Sequence, residues 1–122
     1  MSYNEWKNII NQECYNNAQK NMDVDTKCLD ELLPNTRLIR CYPWPTPSLT
    51  YSYKQSIEPK LSIDQAIRIT GGGVVCHSPG DMLFTLCLWL DDPFCSRSPR
   101  QTLEKISDIL RSNLQSLGII IP

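Results

Sequence analysis

Three consecutive glycines, Gly71, Gly72 and Gly73, sit between Arg68-Ile69-Thr70 and Val74-Val75-Cys76-His77. Glycine loses more backbone entropy on folding than any other residue. Inside a strand or helix it weakens the element by roughly 0.5–1 kcal/mol relative to alanine. A triplet is therefore hard to place within a regular element. It marks a bulged turn between strands, or a place where something must come close to the backbone.

The rest of the chain divides around this run. Ser2-x-x-Glu5 has the form of a capping box, and Trp6, Ile9, Ile10 and Cys14 follow at helical spacing, which predicts an opening helix. A second helical pattern covers residues 21–33, with Pro34 ending it. Residues 38–42 read as a strand, Pro43-Trp44-Pro45-Thr46-Pro47 forces an extended connection, and residues 48–53 read as a neighbouring strand. Ser62 is positioned to cap a short helical turn over residues 63–66. After the glycines come a short strand at Val74 and Val75, a turn at Ser78-Pro79-Gly80-Asp81, and an almost wholly apolar run over residues 82–90. Such a run belongs in the middle of a sheet, buried on both faces. Ser98, Pro99 and Gln101 announce a last helix with Leu103, Ile106, Ile109, Leu110, Leu114 and Leu117 on one stripe and Gly118 just past its end. Ile119-Ile120-Ile121 reads as the start of a further strand. The mixture predicts an α+β or α/β domain with helices packed on a sheet.

At 122 residues there is room for one domain. With 12 basic and 13 acidic side chains and no block of one sign, neither a nucleic-acid footprint nor a membrane-surface footprint is indicated. No apolar run approaches the roughly 20 residues of a membrane helix, and no signal segment opens the chain, so a cytoplasmic location is expected. Six cysteines lack metal-ligand spacing and His77 is the single histidine. Reduced, structural thiols and no structural metal are expected. Cys76 adjoins His77, but strand neighbours point to opposite faces, so the two do not form a nucleophilic pair.

Asn21-Met22-x-x-Asp25, residues 38–44 followed by Pro47-Ser48-Leu49-Thr50, and Arg68-x-Thr70-Gly71-Gly72-Gly73-x-Val75-x-His77 occur in one order. In that order the chain resembles lipoate-protein ligases and the related lipoyl or octanoyl transferases over about residues 15–121. The resemblance implies a biotin/lipoate ligase-like domain, related to class II aminoacyl-tRNA synthetases. Its fold is α+β, a mixed β-sheet flanked by helices, here incomplete over residues 1–122. It implies an acyl-adenylate site at Arg68, Thr70, Gly71, Gly72, Gly73 and His77, with Trp44 as a wall of the acyl pocket. Backbone amides freed of side chains face phosphate oxygens in this reading, and Arg68 neutralises them. For each residue a structural role stands beside the functional one: a bulged turn for the glycines, a surface ion pair for Arg68, a packing group for His77, core packing for Trp44. Asp81 is either a family polar position or a plain turn residue.

By the same resemblance the cofactors are ATP, lipoate and Mg2+. The partner is the lipoyl domain of a dehydrogenase complex or a glycine-cleavage carrier protein. The chain departs from the family pattern in three places: Ile67 replaces a first arginine, Ser52 replaces a glycine, and the family lysine that polarises the acyl carbonyl falls beyond Pro122. No catalytic residue is therefore assigned, and weak or absent catalysis by the chain alone is expected. The alternatives are a non-catalytic protein that binds lipoate, an acyl-adenylate or the lipoyl domain, and a subunit completed by a second copy or a complementary chain.

Overall fold

The computed structural model describes residues 6–95 and 98–120. The element order is β1 (Lys7–Asn11), α1 (Ala18–Asp30), β2 (Thr36–Pro43), β3 (Ser48–Tyr51), β4 (Asp64–Ile67), β5 (Val75–His77), β6 (Met82–Cys87) and α2 (Pro99–Ser116). The strands form two mixed three-stranded sheets, in the orders β1-β2-β6 and β4-β3-β5. β1 runs parallel and β6 antiparallel to β2, while β4 runs parallel and β5 antiparallel to β3. The chain divides into two compact units, Met1–Leu88 and Trp89–Pro122.

In the first unit the expected opening helix is a strand. Residues 7–11 pair with residues 36–40, and Lys7 N–H also donates to Asn35 O at 2.9 Å. The β-branched pair Ile9-Ile10 suits a strand, and its partner strand supplies the hydrogen bonds that an isolated turn of helix would have to make for itself. Ser2 and Glu5 lie outside the described residues. Helix α1 begins earlier than expected because Asn17 accepts from Lys20 N–H at 2.9 Å, and Asp64 Oδ2 accepts from Ala18 N–H at 2.8 Å. Two orphan amides of the helix start are satisfied in this way, one of them by a residue far along the chain.

Asp64 belongs to β4, where a short helical turn was expected. Pairing with β3 over four residues overrides the local capping signal of Ser62. The strands expected to be neighbours across Trp44 lie in different sheets. The chain crosses there at the same place as the return from β5 to β6: Trp44 N–H donates to Asp81 O at 2.7 Å, and Gly80 N–H to Trp44 O at 2.9 Å. The apolar run after this turn is an edge strand, not a central one. Met82 and Phe84 of β6 are 55% and 57% exposed.

Helix α1 packs on β4, β3 and β6, and its buried face feeds two clusters. Ala18 and Met22 join Tyr42, Trp44 and Ala66, while Val24 and Cys28 join Leu32, Leu38 and Cys87. In the second unit α2 starts at Ser98, whose Oγ accepts from Gln101 N–H at 3.2 Å, with Pro99 in the first turn. It ends in a Schellman motif: Gly118 has φ 85°, its N–H donates to Gln115 O, and Ile119 N–H donates to Leu114 O. Ile119 and Ile120 are thus part of a helix exit and carry no strand; Ile121 lies outside the described residues. Among the described residues no helix is long and apolar enough to cross a membrane.

Candidate functional site

Strand parity brings three polar side chains to one face of the β4-β3-β5 sheet. Thr50 in β3 is opposite Ala66 of β4 and Val75 of β5; Arg68 follows Ala66 by two residues, and His77 lies opposite Ser48, two residues from Thr50. Residues two apart along a strand share a face, and diagonal neighbours are within reach of long side chains. Arg68 extends the ladder beyond β4, its N–H donating to Tyr51 O at 2.8 Å.

Thr50 Oγ1 is the junction. It accepts from Arg68 Nη1 at 2.7 Å and lies 2.8 Å from His77 Nε2. The other terminal nitrogen of Arg68 donates to Gly71 O at 3.0 Å and Gly73 O at 2.7 Å. Of the five guanidinium N–H groups, the Nε–H and one on Nη1 remain. Behind His77 stands Trp44, stacked on the imidazole with centroids 4.4 Å apart and planes 22° apart. Trp44 is 1% exposed and its Nε1–H donates to Ser48 Oγ at 3.2 Å. It is a core residue that supports His77.

The carbonyls of Gly71 and Gly73 hold the Arg68 guanidinium, which gives the triplet a structural use as a collar around that side chain. Within it Gly72 alone has a positive φ, 93°; an added Cβ would meet nothing closer than 3.7 Å, at Arg68 Nη2. At Gly73 a Cβ meets nothing within 4 Å, and at Gly71 only Tyr53 Cε1 at 4.0 Å. Gly72→Ala is expected to destabilise by about 1–2 kcal/mol, the cost of a side chain in the left-handed region. Gly73→Ala should be neutral or stabilising by up to about 1 kcal/mol. Urea midpoints of the two variants check this pair.

Thr70 is exposed and contributes its carbonyl, which accepts from Tyr53 N–H at 3.2 Å. Asp81 acts in its turn: Oδ2 accepts from Ser78 N–H at 2.8 Å. Partial burial, and after it the Arg68 charge, push the His77 pKa below its ordinary 6.5, against the opposing pull of Asp81. The imidazole in the folded state is therefore harder to protonate than in the unfolded chain. As pH falls below 6.5 the unfolded state gains a proton first, so stability declines until the folded-state pKa is passed. The difference in urea midpoint between the wild type and His77→Gln should be constant above that window and change within it.

Arg68, Thr70 and His77 line a groove of about 310 Å³ together with Met22 and Leu29 of α1 and Leu83 of β6. Trp44 and the glycines are not part of its wall. Asp25 is, and its Oδ1 is held by Arg40 Nη1 at 2.7 Å and Thr85 Oγ1 at 2.9 Å. Arg40 is fully buried; it also donates to Asn21 O, Asn21 Oδ1 and Glu13 O, and its guanidinium lies 3.8 Å from the Tyr42 ring centroid. The residues of Asn21-Met22-x-x-Asp25 thus hold a buried cation and one wall of the groove. Among the described residues Tyr42 Oη is buried without a hydrogen-bond partner, and burial pushes its pKa up to about 12.

Two site residues were missed in the sequence. Both stand in the pieces that carry the resemblance, Pro47-Ser48-Leu49-Thr50 and Asn21-Met22-x-x-Asp25, but nothing local marks either one as part of a site. Among the described residues no lysine lines the groove. The one thiol that does, Cys87, is buried, which pushes its pKa up to about 11. No group of three or more His, Cys, Asp or Glu among the described residues could hold a metal ion.

No family model matches the chain, and no solved structure matches it. It is similar to octanoyltransferase LipM of Clostridioides difficile (strain 630), with 27% identity over 126 aligned positions. The alignment covers 95% of this chain and 45% of that relative, so the chain spans less than half of the relative's length.

Proposed function

We propose that this chain binds a medium-length acyl group, octanoyl or lipoyl, in the groove bounded by α1 and β6, and that it serves acyl transfer to a lysine of a lipoyl-type acceptor domain. The observation that carries the reading is the composition of the groove. Apolar side chains from a helix and a strand meet the donors of Arg68 and His77, as a ligand with an apolar tail and an acceptor head requires. The similarity to an octanoyltransferase along nearly the whole chain supports the same ligand class. The fold belongs to the proposal too: a biotin/lipoate ligase-like arrangement, with its mixed strands split here between two sheets.

Two features favour acyl transfer over ATP-dependent ligation. A volume of about 310 Å³ lies at the lower limit for small-molecule sites, which suits one acyl chain better than an acyl group with a nucleotide. Both N–H groups on Nη2 of Arg68 are bound to Gly71 and Gly73 and one on Nη1 to Thr50, so no parallel pair remains for a bidentate grip on a phosphate, while single N–H groups are left for one acceptor oxygen.

A second reading is binding without turnover by this chain. It is favoured by the groove lining, in which no lysine appears among the described residues and the thiol is held protonated. Acyl transfer builds charge on the carbonyl oxygen, and one missing donor costs about a hundred- to a thousand-fold in rate.

Calorimetric titration with octanoate, lipoate, ATP and lipoyl-AMP, beside an octanoyl-transfer assay on an acceptor domain, tests both. Saturable heat with octanoate or lipoate and none with ATP is expected. No heat with either acid overturns the acyl-site reading. Binding without transfer selects the second reading, and transfer by the isolated chain rejects it.

A further inference from the structure

Thr50 has one hydroxyl proton and two polar neighbours. Arg68 Nη1 only donates, so toward it Oγ1 is an acceptor. Thr50 is fully buried, and among the described residues His77 Nε2, at 2.8 Å, is the one group in hydrogen-bond range that can take its proton. An Nε2–H imidazole would leave that proton without an acceptor on a hydroxyl buried away from solvent. His77 Nδ1 has no hydrogen-bond partner among the described residues, and the ring lines the groove. The geometry points to Thr50 as a positioning residue: its hydroxyl donates to Nε2 of neutral His77, holds the ring proton on Nδ1, and so turns the imidazole into a fixed donor for the acceptor oxygen of an acyl head group.

The inference rests on the groove being the acyl site. In it, His77 is not an acid or base that exchanges its proton. It is a neutral donor on the groove wall it shares with Arg68, and its Nδ1–H takes the oxygen of a carboxylate or an acyl carbonyl. Trp44 sets the plane of the ring by stacking, and Thr50 sets which nitrogen carries the proton. The two constraints are independent, since stacking is indifferent to the tautomer.

Because His77 is the single histidine, 15N NMR of the ligand-free chain at pH 7.5 reads its tautomer without ambiguity. A free imidazole keeps its proton mostly on Nε2, so an Nδ1–H signature reports the constraint. That signature is expected in the wild type and in Thr50→Ser. In Thr50→Val the ratio of Nδ1–H to Nε2–H should fall by up to about tenfold, the scale of one lost hydrogen bond. Octanoate should bind that variant several-fold more weakly and Thr50→Ser as well as the wild type.

An Nε2–H imidazole in the wild type overturns the inference, as does an unchanged ratio in Thr50→Val. Should Thr50→Val not fold, the wild-type and Thr50→Ser spectra still decide, since Nε2–H in either overturns the inference and Nδ1–H in both upholds it. An Nδ1–H spectrum without octanoate binding counts against the acyl-site reading alone.

Discussion

Asp25→Ala is expected to remove about 3–5 kcal/mol of stability, the usual consequence of taking one partner from a buried ion pair. Arg40 is fully buried, and among the described residues Asp25, with Oδ1 at 2.7 Å, is its one carboxylate partner. Once that oxygen is gone, the guanidinium keeps its bonds to Asn21 and Glu13 but holds a charge that nothing neutralises. Thr85 Oγ1 loses its acceptor as well. The double variant Arg40→Met with Asp25→Leu should lose less than Asp25→Ala alone, because it leaves no uncompensated charge in the core. Urea unfolding of the three chains gives the order. A double variant less stable than Asp25→Ala would mean that the oxygens around Arg40 need it more than Arg40 needs Asp25.

Trp44→Ala is expected to cost about 3–5 kcal/mol, the range for removing a large buried aromatic. The side chain is 1% exposed and closes the cluster of Ala18, Met22, Tyr42 and Ala66. It also carries the stacking contact with His77, and pairs of this kind add about 0.5–1.5 kcal/mol beyond their buried area. Trp44→Phe keeps an aromatic surface and loses the bond to Ser48 Oγ, so its loss should be smaller. Chemical denaturation measures both. The ring resonances of His77 should move in Trp44→Ala, which ties the core substitution to the groove. If Trp44→Ala were nearly neutral, the residue would be a wall of a cavity and not the packed centre of this unit.

These two expectations concern residues whose packing roles the sequence left open or did not show. Trp44 stood out by its proline neighbours and was open to two readings, a wall of the acyl pocket or core packing; it packs in the core, beneath the residue that faces the groove. Arg40 attracted no attention, because a lone arginine between Ile39 and Cys41 in a strand has no local sign of being buried. Asn21 and Asp25 read as part of a helical pattern. Their common purpose, holding Arg40, appears when α1 lies across the strands.

What could be read from the chain was whatever local chemistry dictates within a few residues. Ser98, Pro99 and Gly118 set the two ends of α2 because caps and positive-φ glycines act on the adjacent turn. The glycine triplet was placed correctly outside regular structure for the same reason. The strand nature of residues 7–11 and 64–67 was beyond local reading, since stretches of four or five residues satisfy more than one period and backbone pairing decides between them. Which β-strands share a sheet, and whether residues 82–87 form an edge or a centre, depended on where the chain crosses at Trp44 and Asp81. The tertiary structure alone decided that Thr50, Arg68 and His77 would meet: two strand registers must hold at once, and a shift of either by one residue would turn its side chain to the opposite face.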